Sequence, residues 1–285
     1  MKKLAKLTLG LALVLGLSSC GANNESKPAE TGSEGKTQTE ATDTIKIGVV
    51  GEQNEVWEEV IKRYEEGTGK KAELVKFSDY TQPNEALASG DLDLNSFQHH
   101  KFLGEYNDSQ GEEKLVAIAD TMLAPLGYYS SQIASLDELQ DGDRVAIPND
   151  PSNGPRALFL LQAAGVIKVN GDPGEAITLD DITENPKNLE FVEMDAAQTA
   201  RSLDDVAAAA VNDNYALDSG FSPTEDAIFL EDPDNPDAKI YVNVIASRAE
   251  DKDNEAYKEL VKYYQTDETK KDYDTYTKGA WIASW

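Results

Sequence analysis

Thr44-Ile45-Lys46-Ile47-Gly48-Val49-Val50 alternates apolar and polar side chains and then runs apolar, the pattern of a first, deeply buried strand. Residues 54–66 follow, with Val56, Trp57, Val60, Ile61 and Tyr64 on one helical stripe that Gly67-Thr68-Gly69 stops. Residues 72–77 read as a second strand. Residues 81–89 read as a short helix, with Pro83 in its first turn and Gly90 beyond its end. A third strand is expected over 91–97. This strand–helix–strand–helix–strand rhythm predicts α/β layering with a mostly parallel sheet.

A second α/β set begins in mid-chain. Residues 115–119 are apolar, 135–139 and 179–182 suit short helices, and 144–148, 189–193 and 206–211 suit strands. Helices are expected over 156–166 and 196–205. A further strand over 240–247 and helices over 255–264 and 269–276 close the chain. Two sets of comparable size predict two lobes facing across a cleft. Open α/β sheets take ligands at the carboxyl ends of their strands, so facing lobes aim both sets of ends at one place. Hinge closure can then bury what lies there.

Upstream of the first strand, residues 20–43 read as a tether. They are rich in Glu, Ser, Thr, Gly and Asn and carry no large apolar side chain, so they cannot offset the entropy of folding. Before them, Lys2, Lys3 and Lys6 precede a short apolar run from Leu7 to Leu17, the form of a signal peptide over 1–19. The run ends in Leu17-Ser18-Ser19-Cys20, which resembles the lipobox of bacterial lipoproteins. That resemblance implies cleavage before Cys20, lipid attachment to its sulfur with palmitate among the acyl chains, and a body held at the outer face of the cell membrane. Each buried methylene is worth about 0.8 kcal/mol, so two or more chains hold a domain there. Cys20 is the only cysteine, so no disulfide is expected in the folded body.

The formal charge is −27, and loss of residues 1–19 with their three lysines would make it −30. Such acidity argues against nucleic acid, whose binding rests on Lys and Arg. It suits a solvated, soluble surface, and leaves open some attraction of cations.

Pro148-Asn149-Asp150-Pro151-Ser152-Asn153-Gly154-Pro155-Arg156 is the strongest local signal. A turn rich in Pro, Asn and Gly at a helix start offers backbone N–H groups to an anion, and Arg156 adds a planar fork for a carboxylate. Pairing of Arg156 with one of the many acids is the plainer alternative. A second cluster spans Phe77 to Phe102, where Tyr80, Phe97 and Phe102 suit either an apolar pocket or ordinary core packing. His99 reads as a neutral, hydrogen-bonding wall of that pocket and its neighbour His100 as solvent-facing. Adjacent side chains diverge, and there is no third His and no Cys in the body, so no metal or other cofactor is expected. Asn212 and Asn243 each interrupt an apolar run with an amide, which needs a partner in backbone or ligand. Nucleophile elbow, P-loop and dinucleotide glycine fingerprint are all missing, so no enzyme is expected.

Phe77-Ser78-Asp79-Tyr80 with Pro83-Asn84-Glu85-Ala86-Leu87, Asp91-Leu92-Asp93 through His99, Val145 through Pro151, Glu184 through Leu189, and Tyr241-Val242-Asn243 together resemble the methionine-binding lipoproteins of methionine ABC importers, the NlpA lipoprotein family. The resemblance covers nearly everything from Ile45 to Trp285. It implies a two-lobed, periplasmic-binding-protein-like fold with crossover segments near 123–129 and 233–240. The lobes would comprise 44–124 with 238–285, and 125–237. It further implies that Tyr80, Phe97, His99 and Phe102 surround a methionine side chain, Arg156 grips the carboxylate, and Asn212 and Asn243 hold the polar groups. The expected partners are L- or D-methionine and an ABC importer permease, with the protein a monomer. A methionine-containing dipeptide, or a non-transport interaction or adhesion role, stays open.

Overall fold

The computed structural model describes residues 44–285; the signal peptide expected over 1–19, Cys20 and the tether expected over 20–43 lie outside them. The first sheet has six strands in the order β2 (Ala72–Phe77), β1 (Ile45–Val50), β3 (Leu94–Asn95), β12 (Val242–Arg248), β4 (Leu115–Leu123) and β13 (Ile282–Ala283). The second has five: β11 (Phe229–Leu230), β5 (Gly127–Tyr129), β10 (Ala208–Val211), β6 (Arg144–Pro148) and β9 (Glu190–Met194). A short ribbon pairs β7 (Lys168–Val169) with β8 (Ile182–Glu184).

Each sheet is mixed, where the strand–helix rhythm predicted mostly parallel. β1 runs parallel to β2 and β3, and β6 parallel to β9 and β10, as their helical crossovers require. The strands at each switch between sheets run the other way. β12 and β13 are antiparallel to β4, β12 to β3, β5 to β10, and β11 to β5. The chain leaves the first sheet after Leu123, enters the second at Gly127, and returns between Leu230 and Val242. A strand that carries the chain from one sheet to the other has no covering crossover to make it parallel. These two passages are the crossover segments of a two-lobed fold.

Helices cover the sheets where their stripes predict. α1 (Glu55–Thr68) buries Val56, Trp57, Val60 and Tyr64. Gly69 ends it in a left-handed cap. α8 (Glu255–Tyr264) and α9 (Asp267–Thr277) add Tyr257, Leu260, Tyr264 and Tyr273 to the same core. In the second lobe α4 (Asn153–Ala163) buries Leu158, Leu160 and Leu161 beside Val145, Ile147, Ala208 and Ala210. α2 (Pro83–Ser89), α5 (Ala196–Thr199), α6 (Asp213–Asp218) and α7 (Pro223–Asp226) are short.

Several boundaries differ from expectation. The strand expected over 91–97 is reduced to β3, because the backbone from Ser96 onward turns to deliver side chains to the cleft. α3 (His100–Gln110) was not anticipated, since only Leu103 of its residues is buried. The residues expected to continue helix 196–205 tighten into a 3-10 turn at Ala200–Ser202. α4 starts three residues before the expected 156, which places Arg156 inside the first turn. Among the described residues no helix is long and apolar enough to cross a membrane.

Candidate functional site

The carboxyl ends of β1, β3, β6 and β10 converge on one partly open chamber with about 60 Å³ of free volume, several times what one water needs. Tyr80, Phe97, His99, Phe102, Arg156, Asn212 and Asn243 all line it. The structure therefore brings together every candidate from the sequence.

Three aromatic rings form one wall. Tyr80 lies 5.8 Å from both Phe97 and Phe102, and Phe97 lies 5.7 Å from Phe102, in tilted or edge-on geometry. Such pairs hold each other in place, so the apolar surface is formed in advance. Burial drives the Tyr80 phenol well above its ordinary pKa, so it stays a neutral donor. Its hydroxyl donates across the cleft to Asn214 Oδ1 at 2.5 Å.

His99 caps α3. Its Nδ1 accepts from the Phe102 N–H at 3.0 Å, which leaves the proton on Nε2, directed at Asn153 Oδ1 at 3.3 Å. Burial, aided by the positive charge of Arg156, lowers its pKa to about 3. It is a neutral wall, as its sequence context suggested. Half-exposed His100 points elsewhere and meets Asp120 at 2.7 Å. Asn153 links the polar parts: its Oδ1 also accepts from Asn212 Nδ2 at 2.9 Å, and its Nδ2 donates to the Asp150 carboxylate.

The Pro148–Arg156 segment folds tightly to place these groups. Asp150 accepts from the N–H groups of Ser152 and Asn153 at 3.1 and 2.8 Å. Gly154 is needed because a Cβ there would lie 2.8 Å from the Pro148 carbonyl oxygen. Two residues on, Arg156 is 3% exposed. Its Nε donates to Glu231 Oε1 at 3.0 Å, and its Nη2 to Glu231 Oε2 and to the Ala124 carbonyl at 3.0 Å. The guanidinium lies 4.2 Å from the centre of the Tyr241 ring. Burial would lower the guanidinium pKa, but Glu231 beside it raises it instead. The plainer alternative, a partner among the many acids, is met by Glu231, a largely but not fully buried carboxylate. These contacts use Nε and Nη2, and none of them uses Nη1.

Asn243 lines the chamber, and its backbone forms an isolated bridge with His99. The sequence reading assigned no role to Asn153, Glu231 or Trp281, while Asp213-Asn214 stood out beside Asn212 as a charge close to where an ammonium would lie. Asn153 stood within the highlighted segment. Glu231 and Trp281 gave no local signal. Trp281 Nε1 donates to Asp213 Oδ2 at 2.5 Å.

The NlpA lipoprotein family model matches residues 45–285. The D-methionine-binding lipoprotein MetQ of Escherichia coli strain K12 is 45% identical over 244 residues, which span 85% of this chain and 88% of that one. A nutrient-binding protein from Burkholderia cenocepacia, solved bound to methionine, is 47% identical with a TM-score of 0.80, covering 85% of this chain and 100% of that one. The substrate-binding protein of a methionine transporter from Streptococcus pneumoniae is 35% identical with a TM-score of 0.80, covering 85% and 96%. With two facing sheets, strand ends converging on one chamber, and a match running from Ile45 to the last residue, the chain belongs to the NlpA lipoprotein family.

Proposed function

We propose that this protein captures methionine, as the L- or D-amino acid, between its two lobes and delivers it to the permease of an ABC importer. The observation that carries this reading is the chamber itself: a preformed aromatic wall and a buried guanidinium line one small cleft. A methionine side chain buried against Tyr80, Phe97 and Phe102 contributes about 1.5–3 kcal/mol, and its sulfur gains about 0.3–1.5 kcal/mol from each well-placed ring. Arg156 Nη1 holds the carboxylate, while Glu231 keeps the guanidinium fixed and its remaining donors engaged. His99, Asn212 and Asn243 complete the polar lining. The relatives that bind methionine support the choice of ligand. No bond is broken: the protein is a trap that closes, with residues 44–124 and 238–285 as one lobe and 125–237 as the other. In this reading Cys20 carries the lipid, and the body works as a monomer at the outer face of the cell membrane.

Calorimetry on the full chain should show one methionine site per molecule. Arg156→Lys keeps a charge for Glu231 but loses the fork, and should weaken binding by about 2–5 kcal/mol. Silence of the wild type toward both enantiomers would refute the ligand assignment, and an undiminished affinity in Arg156→Lys would remove the guanidinium from the site.

A further inference from the structure

We propose that Asp213 is the acceptor for a primary ammonium group on the ligand. The inference rests on the chamber being an amino-acid site and deepens that reading. Asn212-Asp213-Asn214 follow β10 and line the chamber. Asn212 Oδ1, Asp213 Oδ1 and Asn214 Nδ2 are all buried and without a hydrogen-bond partner. Asp213 is 3% exposed, and its other oxygen accepts from Trp281 Nε1. Two unpartnered acceptors on neighbouring residues suit an ammonium, which has three N–H donors and no acceptor.

The charges around the chamber point the same way. Arg156 already has Glu231 as its counter-ion. The other titratable groups about Asp213 are the phenols of Tyr80 and Tyr129, both held neutral by burial, and neutral His99. Asp150 is occupied by Ser152 and Asn153. Among the described residues Asp213 is the acid that lines the chamber, and it makes no salt bridge, Arg156 being paired with Glu231. Burial lifts its carboxyl to about 7, against the Trp281 hydrogen bond and the Arg156 charge. A bound ammonium adds a further pull downward. The carboxyl O–H bond then breaks, the proton leaves to solvent, and the carboxylate keeps the electron pair and accepts from the ammonium. Below pH 7 affinity should therefore fall as pH drops, by up to about tenfold per unit, and above it affinity should level off.

Calorimetry of the full chain with methionine, at pH 5.5 and 8 in buffers of different ionisation enthalpy, should show proton release at the lower pH. Asp213→Asn should lose that release and bind roughly tenfold or more weakly at pH 8. Wild type should reject N-acetylmethionine by at least about a hundredfold, and Asp213→Asn should narrow the gap. An Asp213→Asn chain with unchanged affinity, discrimination and proton release overturns the proposal. Should that variant fail to fold, carbon-13 titration of the wild-type Asp213 carboxyl decides: its pKa falls on adding methionine, or the idea is wrong. If wild type ignores methionine, the methionine assignment fails separately. Thermal shifts against other amino acids and their N-acetyl forms then judge Asp213. An amine that stabilises wild type more than Asp213→Asn supports it, and no such amine overturns it.

Discussion

Two buried amide clusters sit behind strand ends on opposite sides of the cleft, and they differ in one respect. In the first lobe Asn84 Oδ1 accepts from Asn95 Nδ2 at 2.8 Å and from Gln98 Nε2 at 2.6 Å, and Asn84 Nδ2 donates to Gln98 Oε1 at 2.8 Å. Asn95 and Gln98 complete each other, and the Pro83 carbonyl takes the remaining donor. In the second lobe Asn212, Asp213 and Asn214 each carry a polar atom with no partner. A closed network of this kind serves the fold, because every member is answered by another. Unanswered atoms that line the chamber can meet something that enters from outside. Satisfaction and position together separate this scaffold network from the site, since Tyr64 and Ser222 also carry an unpartnered oxygen yet do not line the chamber.

The sharpest way to break that distinction is pH, since one buried titratable group stands on each side. His99 has a folded pKa of about 3, below its unfolded value near 6.5, so the unfolded chain binds the extra proton between those values. Its contribution is intact above pH 6.5 and lost as pH falls toward 3. Asp213 has a folded pKa of about 7, above its unfolded value near 3.8, so the native chain binds the extra proton. Its contribution is intact below pH 3.8 and lost as pH rises through 7. The two slopes oppose each other between pH 4 and 6.5, each at most about 1.4 kcal/mol per unit. Urea unfolding at pH 4.5 and 6.5, without ligand, should show Asp213→Asn gaining on wild type by about 2 kcal/mol as pH rises. His99→Gln should gain by a similar amount as pH falls. Parallel lines for all three chains would mean that neither group titrates as its burial implies.

A smaller effect sharpens the same contrast. Asn84→Ala leaves Gln98 Oε1 without its donor and should cost about 1–3 kcal/mol of stability, with methionine affinity of the folded protein changed only a few-fold. Asn212→Ala removes an oxygen that had no partner and one bond to Asn153, whose Oδ1 keeps His99. It should cost roughly 1 kcal/mol or less in stability yet weaken methionine by about tenfold or more. Melting curves and calorimetry on the two variants should therefore rank them in opposite orders.

The layering was legible because periodicity survives in a single sequence: β1, β2, β6 and α8 lie where their apolar patterns put them. The mixed direction of the sheets was not, since pairing direction depends on where the chain crosses between lobes. α3 was missed for a local reason. Its cap is His99, accepting from Phe102 N–H, in place of the Ser, Thr, Asp or Asn that marks a helix start. In the site, rare residue types stood out and common ones did not. Arg156, two adjacent histidines and amides inside apolar runs drew notice. Glu231 did not, because in a chain with 53 acids one more carboxylate carries no information until its burial is seen.

The smallest predicted effect concerns how the satisfied and unsatisfied sides are held together. Asp218, at the end of α6, accepts from the N–H groups of Glu52 at 3.0 Å and Gln53 at 3.1 Å, just after β1. Gln53 Nε2 donates back to the Leu217 carbonyl at 2.7 Å. Gly51 permits the approach: its φ is 93°, and a Cβ there would lie 2.5 Å from Asp218 Oδ2. The bonds to Asp218 are exposed to solvent, so each is worth little to the stability of the fold. Asp218→Ala should therefore leave the melting of the empty protein nearly unchanged. It should loosen methionine by about 0.5–1 kcal/mol, chiefly through faster release. Gly51→Ala should also speed release through the clash, while lowering the melting point because a φ of 93° strains a residue with a Cβ, and stopped-flow dissociation would read both variants. Unaltered release rates in the two variants would show that the chamber is closed by what it contains, with the lip of the cleft adding nothing.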